Sequence, residues 1–423
     1  KLRGTIARVG NDAGFDRLIN SYSYGGLFRN DMAWFQGDAV RKNPNLKPET
    51  TISKEIGAEV RLLDGRLTAD VTYYDKYTRD QIVESELSYL SNYQRVIINS
   101  GKISNKGWEI SVSGVPVKVK NFEWKTIFNW SKNNSMVESL PEGIDKIQIG
   151  SGVYNVKSYA EVGKPYGAIY AKTFKRDAEG YILCQLDGSP KEGQDYEYLG
   201  CVQADWRGGW NNVFRLGNFS FSVMFDFQKG GKFFSQTSIQ SSVDGQSVKS
   251  LEGRDADFFS RKILGESDEE RYGFMRPQNA NTPTANGQIY PDWGRPKGVV
   301  LPNCRYDEDV EGLAGQQVLG YCTPERYWMH YTSRDISRFI YDASYVKLRE
   351  ITVSYDLPKK WLRKTPFQTF RVAAVGRNIA TLFANTPHGL DPQATSTTGN
   401  AQGFERGFNL PSATYGFDIK VSF

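Results

Sequence analysis

The chain has 423 residues, a hydrophobic fraction of 39% and a mean hydropathy of −0.53, yet 13% of its residues are aromatic and 41 are Gly. This composition favours strands and turns over helices. The absence of any run of 18 apolar residues excludes a transmembrane helix but not a membrane-spanning strand, which needs only about 9–11 residues with alternate apolar side chains. The net charge of +5 is spread along the chain, so nucleic-acid binding is not expected.

Segments of alternating apolar and polar residues recur from one end of the chain to the other. Residues 1–9 already have a strand pattern, so we expect no signal peptide and expect an N-terminal part to be missing or to lie on another polypeptide. In residues 218–229, Phe219, Phe221 and Phe225 share one face, and this period of two predicts a strand. About twelve strands are predicted in this way, at residues 1–9, 50–62, 66–77, 106–117, 121–131, 153–160, 166–175, 203–214, 218–229, 342–355, 369–380 and 412–423.

The apolar phase shifts by one residue within the strand predicted at residues 342–355. Leu348 ends the first alternating series, and Ile351 begins the second. One extra residue in a strand is typical of a β-bulge, which we expect near Glu350.

The connections between the predicted strands alternate between short and long. Outer-membrane barrels have this layout, with tight periplasmic turns and long extracellular loops, whereas a soluble β-sandwich, the alternative, has no reason to keep its long loops at one end. The predicted fold is therefore an all-β, transmembrane antiparallel β-barrel, with apolar side chains facing lipid and polar side chains facing a hydrated or protein-filled lumen. The long connections are residues 10–49, 78–105, 132–152, 176–202, 230–341 (the predicted large extracellular loop) and 381–411.

The four cysteines all lie in polar, turn-rich segments of the predicted outward loops. Two local disulfides are expected if the loops face an oxidising compartment; four free thiols are the alternative. Without a CxxC motif, and with only two His in the chain, no zinc site is expected. The expected bridges are Cys184–Cys201 and Cys304–Cys322.

Several stretches of the chain carry recognisable patterns in the same order as in a known family. They include NPNLKPETTISKEIGAEVRLLDG within residues 43–82, INSGKISNKGWEISVSG at 98–114, and further matches at 162–174, 205–232, 342–362 and 376–383. These stretches resemble the C-terminal region of SusC/RagA-like TonB-dependent transporters of Bacteroidetes. The resemblance implies a barrel of about twenty-two strands, of which this chain would supply about twelve. It also implies that the plug domain, the TonB box and the first strands are absent from this chain, and that the terminal Phe423 resembles the signal read by the barrel-assembly machinery.

The resemblance further implies active import across the outer membrane of a Gram-negative bacterium, energised through the TonB complex. A SusD-like surface lipoprotein would dock on the extracellular loops, chiefly 230–341 and 381–411, as a lid, and two transporter–lipoprotein pairs would form a dimer. Family substrates are most often oligosaccharides and in some members oligopeptides. A barrel enzyme would need a nucleophile beside a base, and neither His has a recognisable partner motif. We therefore expect no enzymatic activity, catalytic residue, metal or cofactor, and a passive porin or adhesin is the remaining alternative.

The predicted large loop is rich in aromatic and arginine side chains, which suit sugar rings or peptides. Packing within the loop or against the lipoprotein is the favoured alternative. An acidic run in the same loop has the side chains to hold calcium, although a solvated charge run is favoured. The candidate binding residues are Trp293, Arg295, Arg326, Tyr327, Trp328 and Tyr331, and the acidic run is Asp307, Glu308, Asp309 and Glu311.

Overall fold

The fold is described from a computed structural model that covers residues 1–14, 16–29, 31–87, 89–99, 101–251, 299–322, 326–387, 389–393, 402–407 and 412–423. The first strands in chain order are β1 Leu2–Asn11, β2 Tyr22–Phe28, β3 Met32–Gly37, β4 Val40–Arg41, β5 Glu49–Leu62, β6 Leu67–Arg79, β7 Ile82–Glu86, β8 Arg95–Asn99, β9 Lys102–Val119, β10 Phe122–Ser139, β11 Lys146–Ser151, β12 Lys157–Glu161 and β13 Ala168–Ala171. The remaining strands are β14 Ile182–Cys184, β15 Glu197–Cys201, β16 Trp206–Leu216, β17 Phe219–Lys229, β18 Lys232–Ser235, β19 Val299–Tyr306, β20 Gln317–Cys322, β21 Ile340–Asp342, β22 Tyr345–Asp356, β23 Thr369–Ala384, β24 Phe404–Glu405 and β25 Thr414–Ser422.

Helical structure is confined to short segments between strands. None of the helices among the described residues has the length and apolar character needed to cross a membrane. They are the α-helices α1 Gln236–Val243 and α2 Lys359–Leu362, the 3-10 turns Tyr89–Ser91, Val248–Leu251 and Ile336–Phe339, and one π-helical turn, Tyr327–Tyr331.

Ten strands of the described chain form one continuous sheet, here called the main sheet, in the order β1-β5-β6-β9-β10-β16-β17-β22-β23-β25. Every neighbouring pair is antiparallel, and the spatial order follows the chain order. Short connections join β5 to β6, β9 to β10, β16 to β17 and β22 to β23, and the other five connections are long. The predicted alternation of short and long connections is therefore confirmed for the main sheet, although the long connections predicted at residues 132–152 and 176–202 are joined in a single connection between β10 and β16.

Side chains of the main sheet line up in rows that run across the strands. One row is apolar across seven strands, and the row beside it, on the opposite face, is polar or Gly across the same seven strands. Because neighbouring positions of a strand point to opposite faces, the two rows define an apolar face and a polar face of the sheet. The apolar row is Val60, Ala69, Val112, Phe128, Trp210, Phe225 and Leu348, and the polar row is Glu59, Asp70, Ser111, Asn129, Gly209, Asp226 and Lys347.

The apolar face is not covered by the rest of the described chain. Phe219 is 58% exposed and Phe417 is 87% exposed, although both are large aromatic side chains on this face. Aromatic rings also contact one another across the strands, as in the pair Phe219–Tyr355, whose ring centroids are 4.6 Å apart. A continuous exposed apolar surface of this kind requires an apolar environment.

Two of the twelve predicted strands do not belong to the main sheet. The segments predicted at residues 153–160 and 166–175 contain β12 and β13, which join β11 and β15 in a separate four-stranded sheet, while β10 pairs directly with β16. Their lengths of 5 and 4 residues are too short for a barrel strand. In β13 all four residues are buried, so the pattern reflects a loop core rather than one lipid-facing side.

The predicted β-bulge near Glu350 is confirmed. Met224 pairs with Glu350 and the next residue, Phe225, pairs with Leu348, so Arg349 is an extra residue on β22. The insertion keeps Leu348 and Ile351 on the apolar face and moves the Arg349 side chain to the polar side, where it contacts Asp226.

The long connections after β10, β17 and β23 fold together instead of standing apart. β14 from the first pairs in parallel with β19 from the second, and β18 from the second pairs in parallel with β24 from the third. Buried side chains such as Phe174 and Tyr327 form one cluster here, and Phe234 and Phe404 belong to another. The hydrophobic cores of the described chain therefore lie mainly in its connections. This is expected when the apolar face of the main sheet contacts lipid instead of other parts of the protein.

Candidate functional site

The polar face of the main sheet lines three adjoining cavities near the ends of β16, β17 and β22 that lead into the long connections. Their volumes are about 530, 490 and 250 Å³, and we call them the first, second and third cavity. Arg207 lines all three, and Asp226 lines the first and the second. Residues 202–204 and 402–403, from two different connections, complete the walls.

Arg207 is held at the start of β16 by a neighbouring amide. Its Nε donates a hydrogen bond to Oε1 of Gln228 at 2.9 Å, and Nε2 of Gln228 donates to the backbone carbonyls of Gly230 and Ala343 at 3.2 Å each. Because both carbonyls accept from the amide nitrogen, the amide oxygen must face Arg207. Among the described residues, no acceptor bonds either terminal nitrogen of the Arg207 guanidinium.

Asp226, by contrast, is enclosed by partners. Nε of Arg349 donates to its Oδ2 at 3.2 Å, and the hydroxyl of Tyr345 donates to the same oxygen at 3.3 Å. Gln393 donates from Nε2 to the Tyr345 hydroxyl at 2.6 Å and accepts from Nη2 of Arg349 at 2.5 Å. The Asp226 carboxylate is therefore neutralised by Arg349, and the two side chains together form a fixed part of the wall.

An ion pair ties the connection after β23 to this wall. Nζ of Lys347 lies 2.5 Å from Oδ1 of Asp391 and donates to Oε1 of Gln393 at 2.9 Å. Lys347 is 1% exposed and lies on the polar face of β22. Residues 381–411 were predicted as an outward docking loop, but Asp391 and Gln393 in this segment cover the inner wall. The first residues of the segment belong to β23, which extends to Ala384.

The far end of the first cavity is also internally paired. Arg3 donates from both terminal nitrogens to the carboxylate of Asp70, each at 2.6 Å, and also to Oγ1 of Thr72 at 2.5 Å. A two-point contact of this type fixes both side chains. The wall is thus a polar surface whose carboxylates at Asp70 and Asp226 are each held by an arginine, with Arg207 between them bonded only to an amide.

The aromatic residues predicted as binding candidates lie elsewhere and are buried. Tyr327, Trp328 and Tyr331 are 1%, 2% and 2% exposed, within the same core cluster as Phe174. Arg326 bonds Asp187 at 2.9 Å and lies 5.3 Å from the Tyr331 ring centroid. These three rings offer no surface to a ligand, and packing within the loop, the favoured alternative, fits their burial. The other two candidates, Trp293 and Arg295, lie outside the described residues.

The predicted disulfide Cys184–Cys201 is wrong. Cys201 is a free thiol that donates to the carbonyl of Tyr166 at 3.6 Å, and burial raises its pKa. The two cysteines are separated because β14 joins β19, whereas β15 joins β13 in a different sheet. Cys184 lies instead in the core cluster that also contains Cys304.

The predicted disulfide Cys304–Cys322 is also wrong, for a reason of register. On the antiparallel pair β19–β20, Cys304 lies opposite Val318 and Cys322 lies opposite Val299. Val318 and Cys322 are four residues apart along β20, about 13 Å at the usual rise of a strand. A disulfide needs Cα atoms within about 7 Å. The thiol of Cys304 donates to the carbonyl of Leu301 at 3.2 Å.

The acidic run in the large loop is organised by lysines. Asp307 has a 4% exposed side chain and bonds Nζ of Lys175 at 2.9 Å and Nζ of Lys191 at 2.6 Å. Burial raises the pKa of Asp307, but the hydrogen bonds from Lys191 and Lys175 outweigh it and lower the pKa to about 2. Asp307 is therefore not part of a solvated run, and no cluster suited to a metal ion occurs among the described residues.

Phe423 follows the last residue of β25 and is 76% exposed. Its ring lies 5.3 Å from that of Phe367, in the connection between β22 and β23. The terminal aromatic side chain is thus accessible at the end of the main sheet that carries the short turns.

A main sheet with an apolar outer face, a polar inner wall and long connections at one end defines a membrane β-barrel. The family model "TonB dependent receptor-like, beta-barrel" matches residues 1–379, and the chain belongs to this family. Its fold is an all-β transmembrane barrel fold of the bacterial outer membrane, as predicted, and the family consists of transporters rather than enzymes.

Individual relatives agree with the predicted resemblance. TonB-dependent receptor P3 of Formosa agariphila is 25% identical over 395 residues, covering 88% of this chain and 33% of the relative. TonB-dependent receptor SusC of Bacteroides thetaiotaomicron is 29% identical over 104 residues, covering 24% of this chain and 10% of SusC. The RagAB peptide transporter structure has a TM-score of 0.63 at 17% identity, covering 100% of this chain and 40% of that chain, a likeness of fold. The chain thus spans about a third of the length of receptor P3.

Sequence reasoning missed the residues that line the cavities. Asp226 and Gln228 were visible only as polar members of an alternating strand, and Arg207 and Lys347 gave no separate signal. The available signal was a charged side chain at the polar position of a strand next to a long connection. Contacts such as Lys347–Asp391 join residues 44 apart and depend on the folded loop.

Proposed function

We propose that the protein to which this chain belongs imports oligosaccharides across the outer membrane and is energised through TonB. The observation that carries the proposal is the polar row that runs unbroken across seven strands beside the apolar row. Such a pair of rows gives a membrane-embedded wall that is lined by polar groups on its inner side. A hydrophilic nutrient needs a path of this kind.

The lining of the third cavity supports a sugar ligand. The amide side chains of Asn133, Gln203 and Gln402 lie there beside Arg207. Amides donate hydrogen bonds to sugar hydroxyls and accept hydrogen bonds from them. A cavity lined by several amides is suited to an oligosaccharide.

Oligopeptide import is the second candidate. The RagAB structure, whose fold is similar to that of this chain, is described as a peptide transporter, although at 17% identity the likeness extends to the fold alone. Amides such as Gln228, Gln393 and Gln402 around the second cavity bond peptide groups as readily as hydroxyls.

The remaining parts of the proposal concern the whole protein. We propose that this chain is the C-terminal part of a receptor whose plug and TonB box lie in sequence outside residues 1–423. The region 230–341 would form the large extracellular loop, and a SusD-like lipoprotein would dock on the extracellular connections as a lid, with two such pairs forming a dimer. Phe423 would serve as the assembly signal of the barrel.

Growth of a strain lacking the full-length receptor tests the import function. We expect growth on a defined set of oligosaccharides to fail and to return when the receptor gene is restored, but not when TonB is absent. Growth failure on oligopeptides alone would favour the second candidate. Uptake that persists without TonB would indicate a passive porin, and hydrolysis by the purified protein would contradict a transport role.

A further inference from the structure

The three cavities meet at one cationic side chain. Arg207 lines each of them, and in the third cavity it is the single charged lining residue among the described residues. A ligand that fills any of the three cavities therefore has Arg207 in its surroundings. The proposed import function makes this space part of the ligand's path.

The guanidinium is oriented but not neutralised. Gln228 accepts from Nε of Arg207, and its own amide nitrogen is anchored to two backbone carbonyls. This contact uses one edge of the guanidinium and leaves the two terminal nitrogens, which form a planar fork. A carboxylate fits such a fork with two parallel hydrogen bonds.

The surrounding charges do not supply that carboxylate. Asp226, the acidic residue shared by two of the cavities, is bound by Arg349 and Tyr345. The other cation of the second cavity, Lys232, has Asp342 at 3.6 Å. Glu109 also lines the first cavity, two strands away in the same row as Arg207, but no ion pair joins the two side chains. Among the described residues, Arg207 therefore has no bonded carboxylate of the kind that Asp70 presents to Arg3.

We propose that Arg207 binds a carboxylate group of the imported ligand, and that the ligand is an acidic oligosaccharide carrying uronic acid units. The inference rests on the proposed import function and specifies its substrate class. A peptide with a free C-terminus carries the same chemical group, so the test must separate the two sources.

The test uses the full-length receptor, purified and also expressed in cells, with four probes in two matched pairs. The pairs are oligogalacturonate and its methyl ester, and a peptide with a free C-terminus and its amide. The variants are Arg207→Gln, which removes the charge, and Arg207→Lys, which keeps the charge but loses the fork. Arg215→Gln is the matched control, because Arg215 lies on the same strand and face but at the opposite end, opposite Ser220.

We expect Arg207→Gln to weaken binding of oligogalacturonate about 10- to 100-fold, as for a lost charge-assisted contact, while binding of the methyl ester is unchanged. The affinity of Arg207→Lys for oligogalacturonate should lie between those of the wild type and Arg207→Gln, and the affinity of Arg215→Gln should equal that of the wild type. Outer-membrane abundance and heat-modified migration of each variant report correct folding.

The outcomes separate the inference from the function. Equal losses for the acid and its ester, or no loss for the acid, overturn the role of Arg207 while import stands. A selective loss for the free peptide alone overturns the acidic oligosaccharide and assigns the carboxylate to a peptide. Failure of the wild-type receptor to bind either oligogalacturonate or the free peptide contradicts the inference, whereas the import function fails only if the receptor also restores no TonB-dependent growth on the defined set of oligosaccharides and peptides.

Discussion

Lys347 on β22 and Asp391 in the connection after β23 form a buried ion pair that joins the barrel wall to a long connection. The two side chains are 1% and 5% exposed, and Nζ of Lys347 also donates to Oδ2 of Asp391 at 2.6 Å. Gln393 donates its backbone N–H to Oδ1 of Asp391 at 2.7 Å, so the connection is shaped around the same carboxylate. The pair therefore holds the wall of the second cavity in place.

Removal of one member of this pair should destabilise the barrel. We expect Lys347→Met to cost about 3–5 kcal/mol, because it leaves the Asp391 carboxylate buried without its cation. The unfolding midpoint of the purified full-length receptor in denaturant measures the loss. The double variant Lys347→Met/Asp391→Leu removes both charges and should be closer to the wild type than Lys347→Met alone. A double variant as unstable as the sum of the two single variants would contradict this role.

The loop region should lose stability in acid through Asp307. Its pKa is lowered from an ordinary value of 3.8 to about 2, so the stabilisation is fully present above the ordinary value and is lost as the pH falls towards about 2. Hydrogen exchange of amides in β19, measured at several pH values, should show protection decreasing over this window. Asp307→Asn should remove the part of the pH dependence that comes from Asp307 and lower protection at neutral pH. Unchanged acid sensitivity in that variant would assign the effect to other carboxylates.

A charge placed on the apolar face should be far more harmful than the same charge on the neighbouring polar position. We expect Phe221→Arg to destabilise the barrel by about 2–4 kcal/mol if position 221 lies near the bilayer centre. Ser222→Arg is the matched control, since Ser222 faces the polar side of the same strand. The folded fraction in lipid vesicles at increasing denaturant gives both values. Comparable losses for the two variants would be inconsistent with a lipid-facing row.

Reducing agents should leave the stability of the loop region unchanged. The structure forms neither of the two local disulfides that the cysteine spacing predicted, and Cys201 is a free thiol. Alkylation under denaturing, non-reducing conditions should therefore label Cys201, as measured by peptide mass spectrometry. A fall in the unfolding temperature on reduction, with Cys201 protected from alkylation, would restore the predicted bridge.

The main sheet was predictable because its lipid-facing and lumen-facing positions alternate with a strict period. The phase shift between Leu348 and Ile351 even predicted the bulge that places Arg349 on the polar side. The same rule failed for β12 and β13, because a short strand in a loop core alternates in the same way as a short stretch of barrel strand. An alternating pattern shows that the two faces of a strand differ in polarity, but it does not show whether lipid or protein covers the apolar face.

The site was less predictable, because its contacts join distant parts of the chain. Tyr327, Trp328 and Tyr331 were candidates by residue type, but their rings complete a core that β14, β19 and β20 build from two connections. The cysteine pairs failed for the same reason, since closeness in sequence did not place them opposite each other. The orientation of the Arg207 guanidinium depends on Gln228, whose amide is held by the backbone carbonyls of Gly230 and Ala343.

The orientation of the main sheet can be measured along β17. Spin labels would be attached one at a time at positions 219–227 of the full-length receptor in lipid vesicles, in a background whose native cysteines are replaced by Ser. We expect collisions with oxygen, which dissolves in lipid, to dominate at positions 219, 221, 223 and 225. Collisions with a water-soluble nickel complex should dominate at 220, 222, 224 and 226. Equal accessibility along the strand, or shielding of positions 221 and 225 from lipid, would contradict a membrane-spanning wall and the import function built on it.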